Sequence, residues 1–264
     1  MVTEFFLLSA AFAFLAGFVF FLTSRNSVAP RHRDSAILSA VIMLVAGASY
    51  FLVRRYFHDM LHQIEATPDA TSRRKIIHDG FLAINQYRYM DWAVTTPLLL
   101  LKMVLILRVK PREVLWPLTA LLLADFWMIL AGFVGEQMLD PRNGTVLAGP
   151  RYLWGGLSTV GYVVVVGLLF RYFGPRYGER GDEETAFAFR LMILSTVTTW
   201  GVYPLGYMVP ALWPKFDLNW VHIAYTVADV VNKVGLGVVA YMAGAHELER
   251  RVPEEAIQSA RMVS

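Results

Sequence analysis

RYMDWAVTTPLLLLK, residues 88–102, starts and ends on a cation, carries Asp91 near its start and is otherwise almost wholly apolar. Read as a helix, it has a definite geometry. At 100° per residue, Asp91 and Thr95 lie about 40° apart, and Asp91 and Lys102 about 20° apart after three turns. Arg88 sits one turn before Asp91. Arg88, Asp91, Thr95 and Lys102 therefore make one polar stripe, roughly 21 Å long at 1.5 Å per residue. Such a stripe inside an apolar segment is costly in lipid and marks function.

The rest of the chain supplies the lipid setting. Of its 264 residues 56% are hydrophobic and only 17% charged, against about 25% charged in soluble domains. The apolar residues fall in seven runs, at 4–23, 35–56, 82–107, 113–136, 150–172, 187–210 and 219–245. Each is near the roughly 20 residues that cross a hydrocarbon core of about 30 Å as a helix. The expectation is an all-α, seven-transmembrane-helix bundle forming a single domain over 1–264. The N-terminal run reads as a retained span rather than a signal peptide, because its first charge is Glu4 and its apolar core is too long. Links such as RVKPRE and MLDPRNGT carry turn residues. The longest link, Phe57 to about Gly80, has both signs of charge and no clear apolar period. It reads as a loop or a short amphipathic or hairpin element.

There is no cysteine, so disulfides and thiolate metal sites are excluded. The net charge of +3 sits between the spans and is assigned to membrane orientation, not to nucleic acid. Arg25, Arg31, Arg33, Arg108, Lys110, Arg112, Arg176 and Arg180, with Arg250 and Arg251, outweigh Arg142 and Lys215 on the other side. Arg73, Arg74 and Lys75 in the long link weaken that bias. The rule that positive loops stay inside puts the C-terminus in the cytoplasm and the N-terminus outside, in the inner (plasma) membrane. His58 and His62 have i, i+4 metal-ligand spacing but no clear third ligand, and they read as surface residues; no metal site is expected.

Other ionisable groups within the runs are Asp125, Glu136, Asp229 and Lys233; the chain has only five lysines, two of them inside spans. Asp229 and Lys233 are i, i+4 neighbours on one helix face. They could simply neutralise each other, and such a pair is weak evidence for stability. The alternative is that Lys233 carries an imine: a desolvated lysine keeps a neutral amine that attacks an aldehyde. The protonated imine is then a buried cation, and Asp91 and Asp229 are its counterions. Trp92, Trp200, Tyr203, Pro204 and Tyr207 fit a chromophore pocket, with Gly132, Gly155 and Gly156 leaving room.

In these segments the sequence resembles a microbial (type 1) rhodopsin. RYMDWAVTTPLL is similar to the family's third helix, ADFWMILAGFVGE and RYLWGGLST to its fourth and fifth, WGVYPLGY to its sixth and ADVVNKVGLG to its retinal-lysine helix. GFVGE, YPLGY and VVNK look closer to the proteorhodopsin and xanthorhodopsin branch than to haloarchaeal pumps. The resemblance implies all-trans retinal as a protonated Schiff base on Lys233, with Asp91 as primary proton acceptor and Asp229 as second counterion. It implies that Arg88 stabilises both anions and that Thr95 hydrogen-bonds Asp91. Trp92, Thr96, Leu99, Met128, Gly132, Ser158, Trp200, Tyr203, Pro204 and Tyr207 would line the retinal.

Two positions depart from the usual pump. Lys102 stands where a carboxylic acid normally donates a proton from the cytoplasmic side. A minority of bacterial pumps carry lysine there, which implies a donor role for Lys102; alternatively it snorkels to the cytoplasmic surface. Ser49 stands where the proteorhodopsin branch has a histidine paired to the counterion. His222 and Glu136 lie toward the extracellular exit and are candidates for proton release. Gly155, where many pumps carry tryptophan, permits a carotenoid antenna beside the ring. The function implied is a light-driven outward proton pump, not an enzyme, working in the lipid bilayer and as a trimer or pentamer. Asp91 argues against a chloride pump, Thr95 and Lys102 against a sodium pump. A photosensor with a slow cycle, signalling to a transducer, is the alternative.

Overall fold

A computed structural model describes residues 2–107, 111–140, 146–175, 183–213 and 215–263. Among them are seven helices long and apolar enough to cross a membrane. The first covers Val2–Thr23, the second Arg33–Ala66, the third Ala70–Ile106 and the fourth Pro111–Glu136. The fifth, Ala148–Leu168, runs on through a π-helical turn at Leu169–Phe173. The sixth is broken into Glu183–Thr198 and Val202–Leu212. The seventh comprises Asn219–Val230, a π-helical turn at Val231–Gly235 and Leu236–Val263. Successive helices pack on one another, and the first closes the ring against the seventh.

The surface is inverted relative to a water-soluble protein. Phe12, Leu115, Trp116, Leu153, Val163 and Leu205 are exposed, whereas Arg88, Lys102, Asp125, Arg151, Asp229 and Lys233 are buried. Lipid satisfies the first group, and the interior must pair the second. The chain is a multi-pass membrane protein in a lipid environment.

The long link expected at Phe57–Gly80 is not a loop. The second and third helices continue past the apolar runs and leave only Thr67–Asp69 between them. Pro68 explains the stop: the residue before proline is driven out of the helical region, and Thr67 is extended at φ −100°, ψ 111°. Asp69 then caps the third helix, accepting a 2.7 Å bond from Ser72 N–H. That bond holds its carboxyl below the usual carboxylate range.

Two further irregularities lie at the centre of the bundle. Pro204 has no N–H for the carbonyl of Trp200, and its ring crowds that carbonyl. The sixth helix accordingly breaks at Thr199–Gly201, where the N–H groups of both Thr199 and Trp200 turn to Ser195 O. The π-helical turn in the seventh helix holds Lys233; such turns recur at functional sites. Ser195 donates to Asn232 Oδ1 at 2.7 Å, and Asn232 donates to Tyr203 OH at 3.3 Å, which ties the two irregularities together.

Gly161 sets the approach of the fourth and fifth helices. A Cβ there would lie 2.7 Å from Ala124 O and 3.0 Å from Met128 N, both main-chain atoms that cannot step aside. At Gly167 a Cβ would meet nothing within 4 Å. Gly161→Ala is therefore expected to cost about 1–3 kcal/mol, and Gly167→Ala to be neutral or stabilising by up to about 1 kcal/mol. Thermal unfolding midpoints of the two variants in detergent, followed by circular dichroism, test the contrast.

Candidate functional site

Lys233 Nζ lies at the centre of the bundle, 2.5 Å from Asp91 Oδ2 and 3.5 Å from Asp229 Oδ2, with all three groups buried. The face of Phe14, on the first helix, closes the far side at 5.7 Å. The two carboxylates have unequal surroundings. Asp229 accepts from Tyr50 OH at 2.7 Å, Tyr203 OH at 2.6 Å and Trp92 Nε1 at 3.1 Å. Asp91 meets Lys233 through Oδ2, and its buried Oδ1 has no protein partner. Thr95 does bond to Asp91, but its hydroxyl donates 2.9 Å to the main-chain carbonyl.

Arg88 reaches these anions indirectly. Its Nη1 donates to Tyr50 OH at 3.0 Å, while Nη2 reaches His222 O and Thr226 Oγ1, both at 3.3 Å. Tyr50 is thus the joint, accepting from the cation and donating to Asp229. It was not singled out from the sequence, where it is one aromatic in an apolar run with partners 38 and 179 residues away.

Beside the lysine is a cavity of about 220 Å³. Trp92, Thr96, Met128, Gly132, Ser158, Trp200, Tyr203, Pro204 and Tyr207 line it, together with Ile129, Gly155, Thr159, Tyr162, Tyr89 and Tyr225. Leu99 does not; it packs in the core with Leu100 and Met103. Lys233 does not line it either, but Trp92 and Tyr203 do, and both bond Asp229 on their other side. Gly132 is part of the shape: a Cβ there would stand 3.1 Å from Tyr89 OH and 3.4 Å from Ser158 Oγ. At Gly155 a Cβ would come within 2.8 Å of the Tyr207 ring, whereas Gly156 faces open space. On the cavity's edge Thr96 donates 2.9 Å to Asp125, a buried acid for which the sequence reading had no role.

An apolar cavity that ends one side chain away from a buried lysine fits a long apolar ligand carried on that lysine. The two carboxylates fit the cation such an imine becomes.

Toward one end, Lys102 does not snorkel. It is fully buried, with Nζ 3.3 Å from Ser39 Oγ on the second helix. Toward the other end, Glu136 and His222 fall in separate clusters. Glu136 Oε1 pairs with Arg151 at 2.9 Å and accepts from Asn85 at 2.9 Å. His222 packs against Phe57 and Phe81 and offers its carbonyl to Arg88. Ser49 donates 3.0 Å to Tyr87 O, so it makes no substitute for a counterion histidine.

The chain is similar to known proteins. Bacteriorhodopsin-I of Haloquadratum walsbyi is 27% identical over 88% of this chain and 85% of its own length. The green-light absorbing proteorhodopsin of Gamma-proteobacterium EBAC31A08 is 25% identical over 89% of this chain and 83% of its own length. The crystal structure of xanthorhodopsin, a light-driven ion pump with a dual chromophore, superposes with a TM-score of 0.76 at 28% identity, covering 95% of this chain and 94% of that one. The family described as bacteriorhodopsin-like protein matches residues 1–247. With a seven-helix bundle, a buried lysine between two aspartates and a match spanning nearly its whole length, the chain belongs to the bacteriorhodopsin-like family of type 1 rhodopsins.

Proposed function

We propose that the chain is a light-driven outward proton pump, and the observation that carries this reading is the 2.5 Å contact between Lys233 Nζ and Asp91. Retinal held on Lys233 would supply light absorption and a change of shape at that nitrogen. Lys233, Trp92, Thr96, Leu99, Met128, Gly132, Ser158, Trp200, Tyr203, Pro204 and Tyr207 would hold it.

The chain's own groups divide the proton work. Asp91 Oδ2 is within hydrogen-bond reach of the lysine nitrogen, and its Oδ1 has spare acceptor capacity, so Asp91 takes the proton. Asp229, with three side-chain donors, remains the fixed anion. Arg88 steadies it through Tyr50 and offers positive charge below Asp91. Lys102 lies about 16 Å from Asp91 along the third helix, beyond the lysine nitrogen. Held apolar except for Ser39, it serves as the group that returns a proton from the cytoplasmic side. The distribution of Arg and Lys between links supports the outward direction.

The decisive measurement is the light-induced pH change of a suspension of cells expressing the protein with added retinal. Acidification abolished by a protonophore is the expected result. A coloured protein with no pH change would shift the reading to a sensor, and alkalinisation would reverse the direction.

Asp91→Asn should keep the visible band but move it to longer wavelength, since the anion nearest the lysine nitrogen is gone, and should abolish acidification. Lys233→Ala should yield no visible band at all. Lys102→Ala should slow return of the proton to the lysine nitrogen about 100-fold, the lower range for loss of a positioned acid, while the forward transfer to Asp91 keeps its rate. Flash-induced visible absorption separates the two steps.

A further inference from the structure

The second helix carries two histidines past the end of its apolar run, and their geometry is that of a chelate. His58 and His62 stand one turn apart with Nε2 atoms 3.0 Å from each other. Two imidazole nitrogens bound about 2.0–2.1 Å from one metal, at an angle of roughly 90–110°, lie roughly 2.8–3.4 Å apart. The observed spacing falls in that interval without any movement of the helix.

The partners of the rings point the same way. Glu4 Oε1, on the first helix, lies 2.8 Å from His58 Nδ1. A carboxylate there fixes the proton on Nδ1 and leaves the Nε2 lone pair of His58 directed at His62. The proton between the two rings therefore belongs to His62 Nε2. Beyond His62, its Nδ1 lies 3.9 Å from Glu65 Oε2. A carboxylate hydrogen-bonded behind a ligating imidazole, as Glu4 is behind His58, is the arrangement that orients metal-binding histidines and raises their basicity, and Glu65 lies near enough to His62 to take that place by a small side-chain movement. The pair is also within reach of solvent, as a site filled from outside requires: the His58 side chain is 42% exposed and that of His62 65%.

We propose that His58 and His62, backed by Glu4 and Glu65, form a surface site for a divalent transition metal of the zinc, nickel and copper class. The metal takes the place of the shared proton: bonds form to Nε2 of both rings, and the displaced proton moves to Nδ1 of His62, facing Glu65. Water completes the coordination. Because Glu4 belongs to the first helix and both histidines to the second, a bound ion also clips the N-terminal turn of the bundle to the extended end of its neighbour. A missing third protein ligand, which argues against the pair on sequence alone, sets a modest affinity and does not remove the chelate.

The test uses the full chain, with any polyhistidine tag removed, in lipid nanodiscs. Zn²⁺ is titrated by calorimetry, and Cu²⁺ is bound for electron paramagnetic resonance. One equivalent of metal and a two-nitrogen copper signal are expected. His58→Ala and His62→Ala should each weaken binding at least 100-fold and reduce the signal to one nitrogen. Glu4→Gln should weaken it about tenfold, the lower range for losing a carboxylate behind a ligand. His246→Ala, at an exposed histidine elsewhere, should change nothing. Unchanged circular dichroism shows that the variants fold. Undiminished binding in the His58→Ala/His62→Ala double variant, or a one-nitrogen copper signal in the unaltered chain, overturns the proposal; so does the absence of binding.

Discussion

A lysine ammonium between two carboxylates, all three shut away from water, is the constraint around which this bundle is arranged. Moving one such ion into a protein interior costs several kcal/mol, and removing one partner of a buried pair costs about 3–5 kcal/mol. Lys233 and Asp229 share a helix face, so their pairing needs no tertiary structure. Asp91 comes from the third helix, and its carboxylate meets Lys233 only when the third and seventh helices are correctly rotated. The net charge of the cluster then calls for a second cation, and Arg88 provides it through Tyr50 on the second helix. Helices one, two, three, six and seven each give a side chain to this centre: Phe14, Tyr50, Asp91 with Trp92, Tyr203, and Asp229 with Lys233. An error in the rotation of any of them strands a charge in a medium that cannot solvate it.

The same constraint accounts for the irregular backbone. A regular sixth helix would direct Trp200 and Tyr203 by the 100° rule, and a regular seventh helix would do the same for Asp229 and Lys233. Pro204 and the π-helical turn relax that rule on both sides of the cavity. The bonds from Ser195 to Asn232 and from Asn232 to Tyr203 then hold the two distortions to each other. In lipid no solvent repairs an opened backbone, so freed groups must find partners within the protein. Here they do: Trp200 N–H reaches back to Ser195 O, which also keeps its helical bond from Thr199, and the Thr196 and Val197 carbonyls accept from Tyr162 OH. The widened turn around Lys233 is a place where side-chain position is set by neighbours, which would suit the proposed cycle, in which its nitrogen faces first one acceptor and then another donor.

Much of this was open to reading from the sequence because local periodicity carries it. The stripe Arg88–Asp91–Thr95–Lys102 depends only on helix geometry, and all four residues are buried where that geometry puts them. The seven apolar runs likewise lie inside the seven helices. What escaped was of two kinds. Within residues 57–80 the apolar positions Phe57, Met60, Leu61 and Ile64 do recur at helical spacing and pack against the core, but the charged and polar residues around them hid that short stripe from a reading that looked for long apolar runs. Tyr50, Ser39 and Asp125 are legible only through partners far away in the chain. Tyr50 joins Arg88 to Asp229, Ser39 meets Lys102, and Asp125 meets Thr96.

Lys102 is where the local and global arguments meet. A lysine five residues from the end of an apolar run has a stem long enough to carry its ammonium to the interface, and in an isolated helix it would do so. In the bundle Lys102 is buried, and its Nζ lies 3.3 Å from Ser39 Oγ on the second helix. A single neutral hydroxyl is too weak a partner to hold an ammonium permanently in an apolar surrounding. The site therefore suits an amine that gains and loses its proton as water comes and goes. A carboxylic acid in the same place would be neutral when protonated and charged after donation, whereas the lysine is charged when protonated and neutral after donation. In the proposed cycle the charge in that half of the bundle would consequently have the opposite history. If Lys102 is the donor proposed above, taking up the proton would be the step that needs water, and giving it to the Lys233 nitrogen would return the region to a dry and uncharged state.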